Sequence, residues 1–212
     1  METQTQFMST KNIFVITVLA LVATILYYSF QGGNSNEDYI TKITSDRKAK
    51  DEFMKSGSQS PFGEEKKNFK GLNYFPPDIN YRISAKLIPV QNKKMVLLPT
   101  SDGKEEKYLE YAFAEFELNT QPCRLLILEI PEGEHRGTLF LAFADETSAN
   151  ETYGAGRYLD LKKVPGASSI TLDFNEAYNP YCAYSNNFSC PFPPKENILK
   201  TAVKAGEKKF HD

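Results

Sequence analysis

The longest uninterrupted apolar run lies near the front of the chain. Residues 13–28, IFVITVLALVATILYY, carry no charge and have no polar face. Extended through Phe30, the run approaches the shortest helix that spans a bilayer. Tyr27 and Tyr28 stand where an interfacial aromatic belt would lie. The expectation is a membrane anchor over residues 13–30. The alternative is a cleaved signal, although the exit YYSFQGG offers no small-x-small cleavage site. Lys11 in front, with Glu37 and Asp38 behind, favours a cytoplasmic N-terminus and a C-terminal domain outside the cytoplasm, periplasmic or extracellular.

The pattern then changes twice. QGGNSNE at residues 31–37 is polar and reads as a linker. Over residues 38–55, Ile40, Ile43, Phe53 and Met54 share a stripe with Arg47, which predicts an amphipathic helix. SGSQSPFG ends it, and Pro76 and Pro77 then fix an extended segment. From Tyr81 onward the periods are those of strands. YRISAKLIP, KMVLLPT, EEKYLEYAFAEFELN, CRLLILEI, TLFLAFAD, GRYLDLKKV, SSITLDFN and NILKTAVKAG follow one another over short connections. Asp102-Gly103 is a strong hairpin signal. The expected fold is mainly β: an antiparallel barrel or two-sheet sandwich of about eight strands. It forms a single domain over residues 38–212, with the helix at 38–55 leading it.

Composition narrows the function. The 212 residues carry 25 basic and 27 acidic side chains, so no global charge points to nucleic acid. The two histidines, His135 and His211, sit in a turn and at the C-terminal end. Neither has the support that a His-based metal site or a Ser–His–Asp triad needs.

Two segments break the strand pattern. DETSANETYGAGRYLD, residues 145–160, gathers carboxylates and Arg157 around Gly154 and Gly156. A phosphate cradle would need a helix behind the glycines, and a strand follows instead. An Arg–carboxylate turn is the plainer reading. Calcium would take the same oxygens, but the spacing fits no EF-hand. The second segment is DFNEAYNPYCAYSNNFSCPFPPKEN, residues 173–197. Asn179-Pro180 initiates a turn, and Pro191, Pro193 and Pro194 enforce extended backbone. Tyr178, Tyr181 and Tyr184 either fasten this irregular segment to the barrel or line a ligand mouth. Outside the cytoplasm, Cys182 and Cys190 are a candidate loop-closing disulfide. Two thiolates alone fall short of a zinc site, and a catalytic thiol would lack an activating His. Cys123 opens a strand and reads as a buried apolar residue.

FPPDINYR, ETYGAGRYLDL, LDFNEAYNPYCAYSNNFSCPFPPKENIL and KAGEK, in this order, resemble the bacterial and archaeal family called domain of unknown function 1684. The resemblance covers roughly residues 40–209 and leaves the N-terminal segment outside. It implies a domain of this length, with no activity, cofactor or site residue to carry over. The family more usually places Gly after the Thr of DETSAN, and Arg where Ile198 stands here. Its motifs fall in the two irregular segments. These are expected to meet at one end of the barrel and to gather Asp145, Glu151, Tyr153, Arg157, Asp173, Asn175, Asn179 and Glu196 in a polar pocket. The expected role is small-ligand binding or envelope structure. The alternative is a hydrolase that pairs Asp145 and Asp173 with Arg157. The sequence names no cofactor and no metal.

Overall fold

A computed structural model describes residues 10–210, without the side chains of 10–14 and 28–34. The chain divides into two compact units, Met1–Lys42 and Ile43–Asp212. One helix, α1, runs over Thr10–Ser56 and ends inside the second unit.

In the first unit the expected linker at 31–37 is helical. A glycine inside a helix costs only about 1 kcal/mol, so two glycines between helix-forming flanks do not stop it. The membrane anchor expected over 13–30 is overturned. No helix among the described residues is long and apolar enough to cross a membrane. The apolar run 13–28 holds 16 residues, which as helix covers about 24 Å of a hydrocarbon core about 30 Å thick. Part of the expected span, 13–14 and 28–30, has side chains outside the described residues. The orientation and the extracytoplasmic placement lose their basis with the anchor. His211 also lies outside the described residues.

In the second unit, the last turns of α1 bury two residues of the expected stripe, Ile43 and Met54, and leave Phe53 exposed. Ile43 and Met54 are each 1% exposed. Arg47 donates to the carbonyls of Phe75 (2.7 Å) and Asn175 (3.1 Å). The rest is mainly β: β1 (Arg82–Pro89), β2 (Met95–Pro99), β3 (Glu105–Leu118), β4 (Gln121–Glu129), β5 (Leu139–Phe143), β6 (Arg157–Leu161) and β7 (Ser169–Asp173). They form one antiparallel sheet in the order β6-β5-β4-β3-β1-β7, with β2 also on β3. The sheet curls into a half-barrel, and its end strands β6 and β7 approach each other. The Asp102-Gly103 hairpin joins β2 to β3, with Gly103 at φ +80°.

Strand alternation sorts the side chains. Leu139, Leu141 and Phe143 of β5, with Leu159 and Leu161 of β6, enter the inner core beside Leu125, Ile127, Leu172 and Phe174. Phe140 and Tyr158 point to the outer face. β4 and β5 pair over only two residue pairs, Leu128–Phe140 and Glu129–Leu139. Beyond them the strands part, and the side chain of Asn197 fills the gap. Its Oδ1 accepts from the Leu126 amide (2.6 Å), and its Nδ2 donates to the Leu126 and Ala142 carbonyls at 2.9 and 2.8 Å.

The expected eighth strand, NILKTAVKAG, is an irregular strap. Leu199, Val203 and Ala205 do alternate into the core. Much of the strap's backbone bonds to side chains instead of a neighbouring strand. Asp145 Oδ1 takes the Val203 amide at 3.0 Å, and Arg157 takes the Val203, Ala205 and Glu207 carbonyls.

Candidate functional site

Asp145 lies two residues past the end of β5, and Arg157 opens β6. Gly156 sets the approach between them, with φ +89° and an ideal Cβ position 2.6 Å from both the Phe143 carbonyl oxygen and Pro193 Cγ. No side chain fits there. Arg157 Nη2 reaches Asp145 Oδ2 at 2.9 Å, with side-chain exposure of 0% and 1%. Asp145 Oδ1 also takes the Thr147 amide (2.9 Å) and hydroxyl (2.7 Å). Burial pushes the Arg157 pKa down, while Asp145 and Glu207 hold the guanidinium charged. This is an ion pair clamped into the core, with the C-terminal strap as its other partner.

The remaining expected residues divide. Glu151 pairs with Lys204 at 3.2 Å, on the same strap. Asn179 Nδ2 donates to Glu207 Oε1 (2.9 Å) and the Lys208 carbonyl (2.8 Å). Asp173 accepts from the Asn175 amide at 3.2 Å and faces Arg82 at 3.6 Å. Asn175 clasps the Asp78 backbone, accepting its amide at 2.9 Å and donating to its carbonyl at 2.7 Å. Tyr153 points its hydroxyl at Cys182 Sγ, 3.8 Å away. Glu196 is exposed. The two irregular segments do adjoin: Tyr158 and Tyr178 exchange backbone hydrogen bonds of 2.8 and 3.0 Å. Most of the expected polar cluster is spent on the protein's own backbone. Asp145 and Asp173 serve different neighbours, the strap and the residue 78–82 segment.

Glu207 was not among the expected residues. It is fully buried and collects Lys50 Nζ (3.1 Å), the Asn179 amide and side chain, and the Tyr184 hydroxyl. The KAGEK motif holds it, but nothing local marks that glutamate as buried. Its cation comes from α1, 157 positions earlier.

The open site lies on the outer face of the sheet. The segment after β7 folds back as three short 3-10 turns, Phe174–Glu176, Tyr181–Ala183 and Lys195–Asn197. Phe192 donates to the Pro99 carbonyl (2.9 Å), and the Tyr158 hydroxyl to the Pro191 carbonyl (2.6 Å). Between this segment, the outer face and the end of α1 runs a cleft of about 930 Å³. Its walls are the rings of Tyr108, Phe140, Tyr158, Tyr178, Tyr181 and Phe188. Tyr108 and Phe140 stack at 4.7 Å, and Tyr181 meets Phe188 edge-on at 5.1 Å. The hydroxyls of Tyr108 and Tyr178 are bound to Glu106 (2.8 Å) and Asp160 (2.9 Å). Burial first, then these carboxylates, pushes both phenols well up, so both stay protonated. Arg47, Lys50 and His135 add positive or titratable groups to the lining. The Tyr74 hydroxyl, also in the lining, is buried without a hydrogen-bond partner among the described residues. Of the eight expected ligand residues, Asn175 alone lines this cleft.

Cys182 and Cys190, expected as a candidate disulfide, are free thiols here, Cys182 half-buried and Cys190 buried. The loop is closed by other bonds. The Cys182 amide lies 3.2 Å from Cys190 Sγ, and Ser101 exchanges bonds of 3.0 and 3.1 Å with the Cys190 backbone.

No curated protein matches the chain. Among solved structures it is similar to the solution NMR structure of an uncharacterized protein of Haloarcula marismortui. The two share 41% identity over 82% of this chain and 96% of that one, with a TM-score of 0.63. The family described as "Protein of unknown function (DUF1684)" matches residues 67–208. Two thirds of the sequence lies in that match, including both irregular segments and the strap that joins them, so the chain belongs to the DUF1684 family.

Proposed function

We propose that the second unit is a binding domain for a small organic ligand with a flat apolar body and an acceptor or anionic group. The aromatic cleft carries this reading. Its volume suits a small molecule, and its lining sets aromatic walls beside charged and polar side chains. Two of its phenols have committed their hydroxyls to carboxylates, so their ring faces are what remains to offer. The Tyr74 hydroxyl beside them is buried with no hydrogen-bond partner among the described residues. Arg47 and Lys50 line the cleft from α1, Lys50 also paired with Glu207 and Arg47 with two carbonyls, beside the carboxylates of Asp46, Glu106, Asp160 and Glu176. Nothing in the cleft requires the ligand to react.

Anilinonaphthalene sulfonate tests this, being a flat aromatic with one anion. We expect saturable one-to-one fluorescence enhancement with the folded full-length chain. Tyr181→Ser and Phe188→Ser should each weaken it about tenfold, the loss of about 1.4 kcal/mol of contact. Binding that ignores both substitutions, or that has no fixed stoichiometry, would place the dye elsewhere and sink the reading.

A further inference from the structure

Cys190 packs in the outer cluster with Ala142 and Tyr158, and Cys182 lies against it. Their surroundings differ from those of Cys123, the third cysteine. Cys123 lies against the inner core, and burial raises its pKa. Cys182 is half-buried. The Tyr153 hydroxyl donates to its sulfur at 3.8 Å, and its own amide donates to Cys190 Sγ at 3.2 Å. Hydrogen bonding favours the ionised sulfur and brings the Cys182 pKa down to about 6, the Cys190 hydrogen bond contributing most. Cys190 moves the opposite way, held protonated first by that same bond and then by burial. One thiol is thus prepared as nucleophile, and the other waits beside it as a proton-bearing partner.

We propose that Cys182 is a peroxide-reactive thiol and that Cys190 is its resolving partner, the pair cycling between dithiol and disulfide. The oxidant is a hydroperoxide. The Cys182 thiolate attacks the terminal peroxide oxygen. An S–O bond forms, the O–O bond breaks, and the leaving oxygen takes a proton to depart as alcohol or water. Cys182 is then a sulfenic acid. The Cys190 sulfur attacks the Cys182 sulfur; an S–S bond forms and the S–O bond breaks. The hydroxide leaves with the Cys190 proton as water. Both thiols are oxidised by one peroxide, with two hydrogens lost from the protein. External thiol reverses the step. The Cys182 amide, already 3.2 Å from Cys190 Sγ, shows that the loop holds the two residues together before any bond forms. Because Cys190 and Pro191 line the cleft, the state of the pair is felt at its wall. The inference does not depend on what the cleft binds.

The test uses the full-length chain, reduced and freed of reductant, titrated with hydrogen peroxide and read by intact and peptide mass. In the wild type we expect loss of two hydrogens and a Cys182–Cys190 cross-link that dithiothreitol reopens. Cys123 should stay alkylatable throughout. Cys190→Ser should gain one oxygen at Cys182, trapped by dimedone. Cys182→Ser should leave Cys190 reduced at the same dose. The wild-type reaction should slow as pH falls through about 6, where the Cys182 thiolate takes its proton. Equal labelling of all three cysteines after peroxide would overturn the proposal. So would a cross-link already closed before peroxide and resistant to dithiothreitol, because that bond would be a fixed staple.

Discussion

Arg157 and Tyr158 are consecutive residues of β6 with opposite surroundings. Strand alternation turns Arg157 inward, onto Asp145 and three strap carbonyls. It turns Tyr158 outward, into the wall of the cleft. On the inner side nearly every polar group is matched by one of the chain's own. On the outer side the hydroxyls of Tyr108, Tyr158 and Tyr178 are bound but their rings line the cleft. A buried ion pair and a site are therefore different things in this fold. The ion pair organises the C-terminal strap. The ring-lined surface next door is where a second molecule has room.

The sharpest way to break this contrast is to remove one partner of the pair. Arg157→Met leaves Asp145 buried and unpaired, and Asp145→Asn does the reverse. Losing one partner of a buried pair costs about 3–5 kcal/mol. At roughly 2–4 °C per kcal/mol for a unit of this size, the melting temperature should fall by roughly 10 °C. Thermal unfolding by circular dichroism measures it. An unchanged melting temperature would move the pair from scaffold to site and reverse the contrast.

Asn197→Ala comes next. It strips three backbone groups of Leu126 and Ala142 of their partner, where β4 and β5 part. An orphaned buried group costs about 1–3 kcal/mol, and water entering the gap offsets part of it, so we expect about 3 kcal/mol in a urea titration. The exposed neighbour Glu196→Ala, a residue the sequence marked as a ligand candidate, should change nothing in the same titration. Equal effects at 196 and 197 would mean that the turn as a whole, and not one amide, seals the sheet.

These two positions also show where the sequence speaks and where it falls silent. The seven strands were readable because alternation and the Asp102-Gly103 turn are local signals. The last strap alternates too, through Leu199, Val203 and Ala205, and so imitates a strand. What denies it a ladder is a pair of side chains more than forty positions earlier. Asn197 and Glu207 were missed for the same reason: an amide or a carboxylate looks alike in solvent and in a core until its partners are known. The tight turn at Asn119 and Thr120, both at positive φ, carries a Thr that such turns rarely accept, so no turn signal appears there. The segment at 173–197 was marked by its prolines and tyrosines as irregular. The face it would cover was not marked, because only the pairing of Thr100 with Pro191 and of Tyr158 with Tyr178 decides that.

The smallest expected effect tests the outer half of the contrast alone. Tyr158→Phe keeps the ring in the cleft wall and removes only the hydroxyl that holds the Pro191 carbonyl at 2.6 Å. A single hydrogen bond of this kind contributes about 1 kcal/mol, or about 3 °C in melting temperature. The strand of chain over Cys190 and Pro191 would be loosened without being released, since Phe192 still holds Pro99. Dye affinity should then fall less than in Tyr181→Ser, because the ring surface is intact and only its backing has softened. If Tyr158→Phe instead cost as much as Arg157→Met, the outer face would be holding the fold together as firmly as the inner one. A cleft with that duty has little freedom to open for a ligand, and the binding reading would lose its physical basis.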